Sequence, residues 1–189
     1  SDFLSAYNLL DAKAKQRCLV HLLRDLKRIL ETYDPKDFCY EYCRRLKELL
    51  QKAIKLSRKY IKHKISKKEF QAEAERLKRR LEDFQFPDPQ KGLLNRIAKR
   101  LKRHKNEIFT FLDYPGLPYH NNFAEQMIRP SVLFRKITFG HRSESGPENH
   151  GVIRSILQTG KLNGKVSIPL IKDILTSRKP LSAAMCTGP

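Results

Sequence analysis

The chain has 189 residues, enough for one large domain or two small ones, and its 40% hydrophobic content is sufficient to build a core. It carries 39 Lys and Arg against 20 Asp and Glu, a net charge of +19, and this excess favours a polyanionic partner, nucleic acid first, because each phosphate neutralised releases condensed counterions. No run approaches the roughly 20 apolar residues of a bilayer span and no signal-peptide pattern opens the chain, so a membrane partner is excluded and a cytoplasmic protein with reduced thiols at Cys18, Cys39, Cys43 and Cys186 is expected.

Between Ala12 and Tyr33 the apolar positions Leu19, Leu22, Leu23, Leu26, Ile29, Leu30 and Tyr33 recur at intervals of three and four, predicting an amphipathic helix. Asp34-Pro35 ends it and opens a second helix through Phe38, Tyr42, Leu46, Leu49, Leu50, Ala53, Ile54 and Tyr60. Ser66 with Glu69 reads as a capping box for a third helix with Phe70, Leu77, Leu81 and Phe84 as its stripe. Asp88 caps a fourth, in which Leu94, Ile97, Leu101 and Ile108 mark the buried side. The third and fourth helices carry Arg79 and Arg80, and Lys99, Arg100, Lys102 and Arg103, opposite their apolar stripes. Two such faces suit DNA phosphates rather than base edges, and no helix-turn-helix or zinc-finger pattern supplies a reading helix.

After Tyr114 the texture changes. "YPGLPYHNN" is too rich in turn formers for a helix interior. A short helix follows, with Asn121 or Asn122 as its cap and Glu125 in its first turn, and Pro130 is expected to stop it. "SVLFRKITFG" has the β-branched and aromatic content of a short strand or extended segment. Gly146-Pro147 precedes a helix with Val152, Ile156 and Leu157 on one side, and Ser167 caps a last one. The composition is α-rich throughout, and the tail after Pro180 has no periodicity.

A carboxylate behind an Asn cap stabilises any helix start, because it faces the positive end of the dipole, and Arg129 one turn later can pair with it. Cys18 and His21 lie three apart, and Cys39 and Cys43 four apart. Together they imitate a Cys3His zinc set, but buried cysteine on an apolar helix face is the commoner arrangement, so zinc is not expected. His63, His104 and His120 lack a partner pattern and read as loop or solvent-facing residues.

The whole pattern goes further than any one residue. "YPGLPYHNNFAEQMIRPSVLFRKITFGHRSESG", followed by "RSILQTGKLNG", resembles the C-terminal catalytic region of insertion sequence 66 family transposases. The family's Asn-Asn-x-Ala-Glu-Arg, Arg-Pro, Arg-Lys and Ser-x-x-Gly elements are matched by Asn121 to Gln126, Arg129-Pro130, Arg135-Lys136 and Ser143 to Gly146, with Gln126 in place of the usual Arg. "SDFLSAYN" resembles the segment holding the family's second catalytic Asp, and "RCLVHLLRDLKRI" its Cys-x-x-His helix.

The resemblance implies a mainly α chain: a helical insertion plus the C-terminal remnant of a ribonuclease-H-like catalytic domain with few short strands. It divides the sequence into residues 1–33, a basic insertion over 34–110, a catalytic region over 111–177 and a tail over 178–189. Asp2 and Glu125 become the second and third carboxylates of a DDE triad holding Mg²⁺ or Mn²⁺, with His21, Asn121 and Asn122 supporting the site. Arg129, Arg135 and Lys136 become contacts to DNA, both element ends and target. The complete enzyme is expected to be a homo-oligomer, and this chain, lacking the first Asp, to be inactive alone. The competing expectation is a non-catalytic basic helical DNA-binding or assembly module; an RNA-binding protein has only the charge in its favour.

Overall fold

The computed structural model describes residues 3, 8–9, 11–84 and 93–176. It divides into two compact units, Ser1–Asn121 and Asn122–Pro189. The described residues are mainly helical and include no strand.

In the first unit, α1 (Leu19–Thr32) buries Leu19, Leu22, Leu26 and Ile29 along one stripe. It starts seven residues later than the periodicity suggests. The backbone before it is engaged elsewhere: Arg17 N–H donates to the Glu107 carbonyl (2.9 Å) and Leu19 N–H to that of Tyr119 (2.9 Å). The Gln16 side chain gives its Nε2 hydrogen to the Ile108 carbonyl (2.9 Å) and accepts from Phe111 N–H (2.8 Å), and Thr110 Oγ1 donates to the Lys15 carbonyl (2.6 Å). A helix through Gln16 and Arg17 would need those backbone groups for its own ladder.

Asp34 closes the next turn by accepting from Lys36 N–H (2.8 Å), and Asp37 caps α2 (Phe38–Ile61) by accepting from Cys39 N–H (2.7 Å). This helix ends in a left-handed residue, His63 (φ 52°). There Lys64 N–H reaches back to the Lys59 carbonyl and His63 N–H to that of Tyr60, both at 2.9 Å, which satisfies two carbonyls the helix leaves open. α3 (Lys67–Glu82) opens on the expected capping box: Glu69 N–H donates to Ser66 Oγ (3.2 Å), and Ser66 N–H to the Glu69 carboxylate (2.8 Å). The Asp88 cap lies outside the described residues. α4 (Leu93–His104) presents Leu94, Ile97 and Leu101 to the core, and after a 3-10 turn at Lys105–Glu107, Ile108, Phe109 and the short α5 (Thr110–Asp113) close it.

α2 is the central rod, with α1 and α3 packed on it, and α4 packs on α1. One continuous apolar cluster runs through all of them. Each fully buried Leu or Phe contributes about 2 kcal/mol, which is why the leucine stripes dictate this unit.

The second unit holds α6 (Asn122–Thr138), α7 (Gly146–Leu162) and α8 (Ser167–Thr176). α6 corrects two expectations: Pro130 lies inside the helix rather than ending it, and residues 131–138 form its second half rather than a strand. The loop that follows is fixed by rings, His150 stacking on Phe134 (centroids 4.6 Å apart) with its Nε2 3.2 Å from Ser131 Oγ and His141 5.3 Å away. Gly146 meets this loop so closely that a Cβ there would lie 2.8 Å from His141 Cβ. α7 and α8 approach at Gly160, where a Cβ would lie 2.2 Å from Leu170 Cδ2.

Candidate functional site

Glu125 sits in the first turn of α6, with Asn122 as the helix's first residue and Asn121 just before it. The backbone N–H groups of that turn point toward the carboxylate end, so a negative charge is stabilised there. Because the helix continues through Pro130, Glu125, Arg129 and Lys136 fall within roughly 40° of one another at 100° per residue, while Arg135 projects from the flank. Arg129, Arg135 and Lys136 are all exposed. Arg135 and Lys136 also occupy the last turn, where the helix dipole favours cations. One carboxylate and two cations along about 16 Å of one face make a strip that can present a hard oxygen ligand beside phosphate contacts.

Asp2 lies outside the described residues, but its neighbour Phe3 is described. Phe3 stands edge-on to the His104 ring (5.9 Å) and lies under the Arg100 guanidinium (5.3 Å). Arg100 is also bound to Asp25 at 2.5 Å, so this member of the expected DNA-contacting face is engaged inside its own unit. Below Phe3 is a polar network. Arg17 is fully buried, with Nε 2.5 Å from Glu107 Oε2 and a guanidinium N–H donating to Asn8 Oδ1 (2.6 Å). His104 Nδ1 lies 3.5 Å from the other Glu107 oxygen. His104 is therefore buried, not solvent-facing as expected; burial, seconded by the charge of Arg17, pushes its pKa below the ordinary value. No sequence periodicity signals this network, because Arg17 and Glu107 are 90 residues apart.

His21 is half-buried on α1, and Cys18 is the buried residue before that helix. Among the described residues, Cys39 and Cys43 do not come within ligand distance of Cys18 and His21 as a common set. Burial pushes the Cys43 thiol up to about 12, and burial together with Asp37 raises Cys39, which keeps both protonated. The loop leading to Asn121 is anchored within the first unit: the Tyr119 carbonyl accepts from the first N–H of α1, and its hydroxyl accepts from Arg58 (2.6 Å).

Of the remaining basic residues, Arg79 and Arg80 on α3, and Lys99, Lys102 and Arg103 on α4, are exposed. α3 packs mainly on α2 and α4 mainly on α1, so the two faces do not flank a single helix pair. Among the described residues, no helix is long and apolar enough to cross a membrane.

A family model described as "Transposase IS66 family" matches residues 1–149, which takes in α1 to α6 and the Asn121–Glu125 motif. The chain belongs to the IS66 transposase family. An uncharacterized protein, y4jO, from Sinorhizobium fredii (strain NBRC 101917 / NGR234) is 32% identical over 71 residues, 38% of this chain and 22% of that protein. The IS66 chain thus spans much less than two thirds of that relative. No solved structure matches it.

Proposed function

We propose that this chain is the helical insertion and C-terminal catalytic part of a DDE transposase that cleaves DNA and joins the freed end to a target. The observation that carries the reading is the family match, which extends across Glu125 and its flanking asparagines. Residues 111–177 are then the C-terminal remnant of a ribonuclease-H-like catalytic domain.

Glu125 and Asp2 act as metal ligands in this reading. The donor chemistry of Glu125 fits: an exposed carboxylate at a helix start offers hard oxygens of the kind Mg²⁺ and Mn²⁺ take. An ion held there would supply the chemistry that activates water or a DNA 3′-hydroxyl and stabilises the leaving oxygen. Arg129 and Lys136, further along the same side of α6, hold DNA phosphates near that site, and Arg135 steadies the flank. Asn121 and Asn122 orient the start of α6.

Glu125→Gln in the complete transposase tests the assignment. Strand cleavage with Mg²⁺ or Mn²⁺ is expected to be abolished while duplex binding is kept; undiminished cleavage would remove Glu125 from the site. A second reading, a non-catalytic basic module for DNA binding or assembly, draws on the net charge of +19 and the exposed basic faces. Metal dependence separates the two, since only the first requires a divalent cation.

A further inference from the structure

The acid-free run with the most basic residues lies on neither α4 nor α6. From Gln51 to Lys68 the chain has Lys52, Lys55, Arg58, Lys59, Lys62, Lys64, Lys67 and Lys68 and no Asp or Glu. All eight are exposed at the tip formed by the C-terminal half of α2, the His63 turn and the start of α3.

Several basic side chains elsewhere in this unit are paired with acids. Arg44 is clamped between Glu41 and Glu48, Lys78 between Glu75 and Asp113, Arg76 pairs with Glu73 and Arg100 with Asp25. Among the described residues, none of the seven lysines of the tip has a carboxylate within ion-pair distance, and Arg58 is bound to the Tyr119 hydroxyl. An open cleft of about 420 Å³ beside the tip, lined by Tyr60, Ile61, His63, Ile65, Lys67 and the Pro115-Gly116 turn, brings no carboxylate either.

Helix electrostatics account for only part of this. Arg58 and Lys59 occupy the last turn of α2, where the dipole favours them. Lys67 and Lys68 occupy the first turn of α3, where the dipole opposes them. Lys52 and Lys55 are far enough from the helix end to feel little of it. Clustering like charges in this way raises the energy of the free protein, and a polyanion relieves it.

Resting on the reading of this chain as a DNA-acting protein, we infer that the α2–α3 tip is a binding surface for the phosphate backbone of duplex DNA. Lys52, Lys55 and Lys59 share one face of α2 within roughly 60° and span about 10 Å. One strand presents a phosphate about every 3.4 Å of helix axis, so the three lysines cover about three phosphates. The surface reads charge and spacing, not bases.

The test is the salt dependence of binding to a fluorescent duplex by the full chain. Lys52, Lys55 and Lys59 are changed together to Gln, a residue of similar helix propensity, and compared with Lys13, Lys36 and Lys172 changed together to Gln as an equal charge loss elsewhere. The first triple is expected to lower the slope of log affinity against log salt by about 2.7, and the control by less than about 1. An unchanged slope in the first triple, or an equal fall in the control, overturns the assignment. Vesicles of phosphatidylserine in phosphatidylcholine that bind the wild type and lose the first triple, with the duplex slope unmoved, would overturn it in favour of a membrane surface. A wild-type chain that binds no duplex even at low salt would instead bring down the underlying reading of DNA as the partner.

Discussion

Arg17→Met should destabilise the chain by about 2–4 kcal/mol. The guanidinium is fully buried, and among the described residues it makes short contacts to a carboxylate and an amide oxygen. Breaking a buried pair costs about 3–5 kcal/mol when the abandoned charge stays dry. Glu107 keeps 27% of its side chain exposed, so water partly replaces the lost partner and the lower part of that range applies. With a urea m-value of about 2 kcal/mol/M, the midpoint falls by about 1–2 M and m itself stays constant.

His104 supplies a second readout of the same substitution. Its folded pKa lies below the ordinary 6.5, so from about that pH down to the depressed value the unfolded chain binds the proton more readily than the folded one. Stability therefore rises with pH through this window and is lost as pH falls through it. Removing the Arg17 charge leaves burial as the main cause. His104 then titrates nearer its ordinary value, and the acid-side loss of stability becomes shallower. Urea melts at several pH values and an NMR titration of the His104 ring measure both effects. A midpoint shift under about 0.5 M, or a His104 titration that does not move, would refute the network as described.

His63→Gly removes a side chain from a left-handed residue and should raise stability by up to about 1 kcal/mol, seen as a higher thermal midpoint; a drop would mean the His63 ring makes a contribution larger than its backbone strain. Gly160→Ala drives a methyl into Leu170 and should cost about 1 kcal/mol despite its better helix propensity, yet become neutral or favourable in a Leu170→Ala background; equal effects in both backgrounds would deny the close approach. Pro130→Ala should strengthen α6 by up to about 3 kcal/mol, read as slower amide exchange over residues 126–134, and unchanged exchange would argue against a proline in the helix interior.

The elements that could be read from the chain alone are those whose causes are local. Most of the leucines expected on the stripes of α1 to α4 are buried, Leu23 and Leu30 only in part, and the Ser66–Glu69 box closes within four residues. The late start of α1 was not legible, since Gln16 and Arg17 bond to residues 92 and 90 positions away. The same separation hid His104, whose surroundings come from Phe3, Arg17 and Glu107. The basic tip was visible as composition, yet its lack of counter-ions emerged only once the acids of α2 and α3 were seen paired with other cations.

The region around Glu125 shows the converse, a family motif on an element whose length was misread. A proline in mid-helix removes one N–H and crowds the carbonyl four residues earlier, and Val132 and Ile137 favour strand, so a break at Pro130 follows from local rules. The helix persists because the damage falls on the outside. Gln126 and Pro130 are both exposed, so water can satisfy the Gln126 carbonyl, and the penalty is one missing bond in a helix of 17 residues. A strand from Ser131 onward would have turned Arg135 and Lys136 to opposite faces and uncoupled both from Glu125. Continuity through Pro130 instead sets Glu125, Arg129 and Lys136 along one side of a single rod. Under the proposed function, in which Glu125 would hold a cation beside a scissile phosphate, that arrangement would let the neighbouring phosphates be held from the same side, in a spacing fixed by the helix itself.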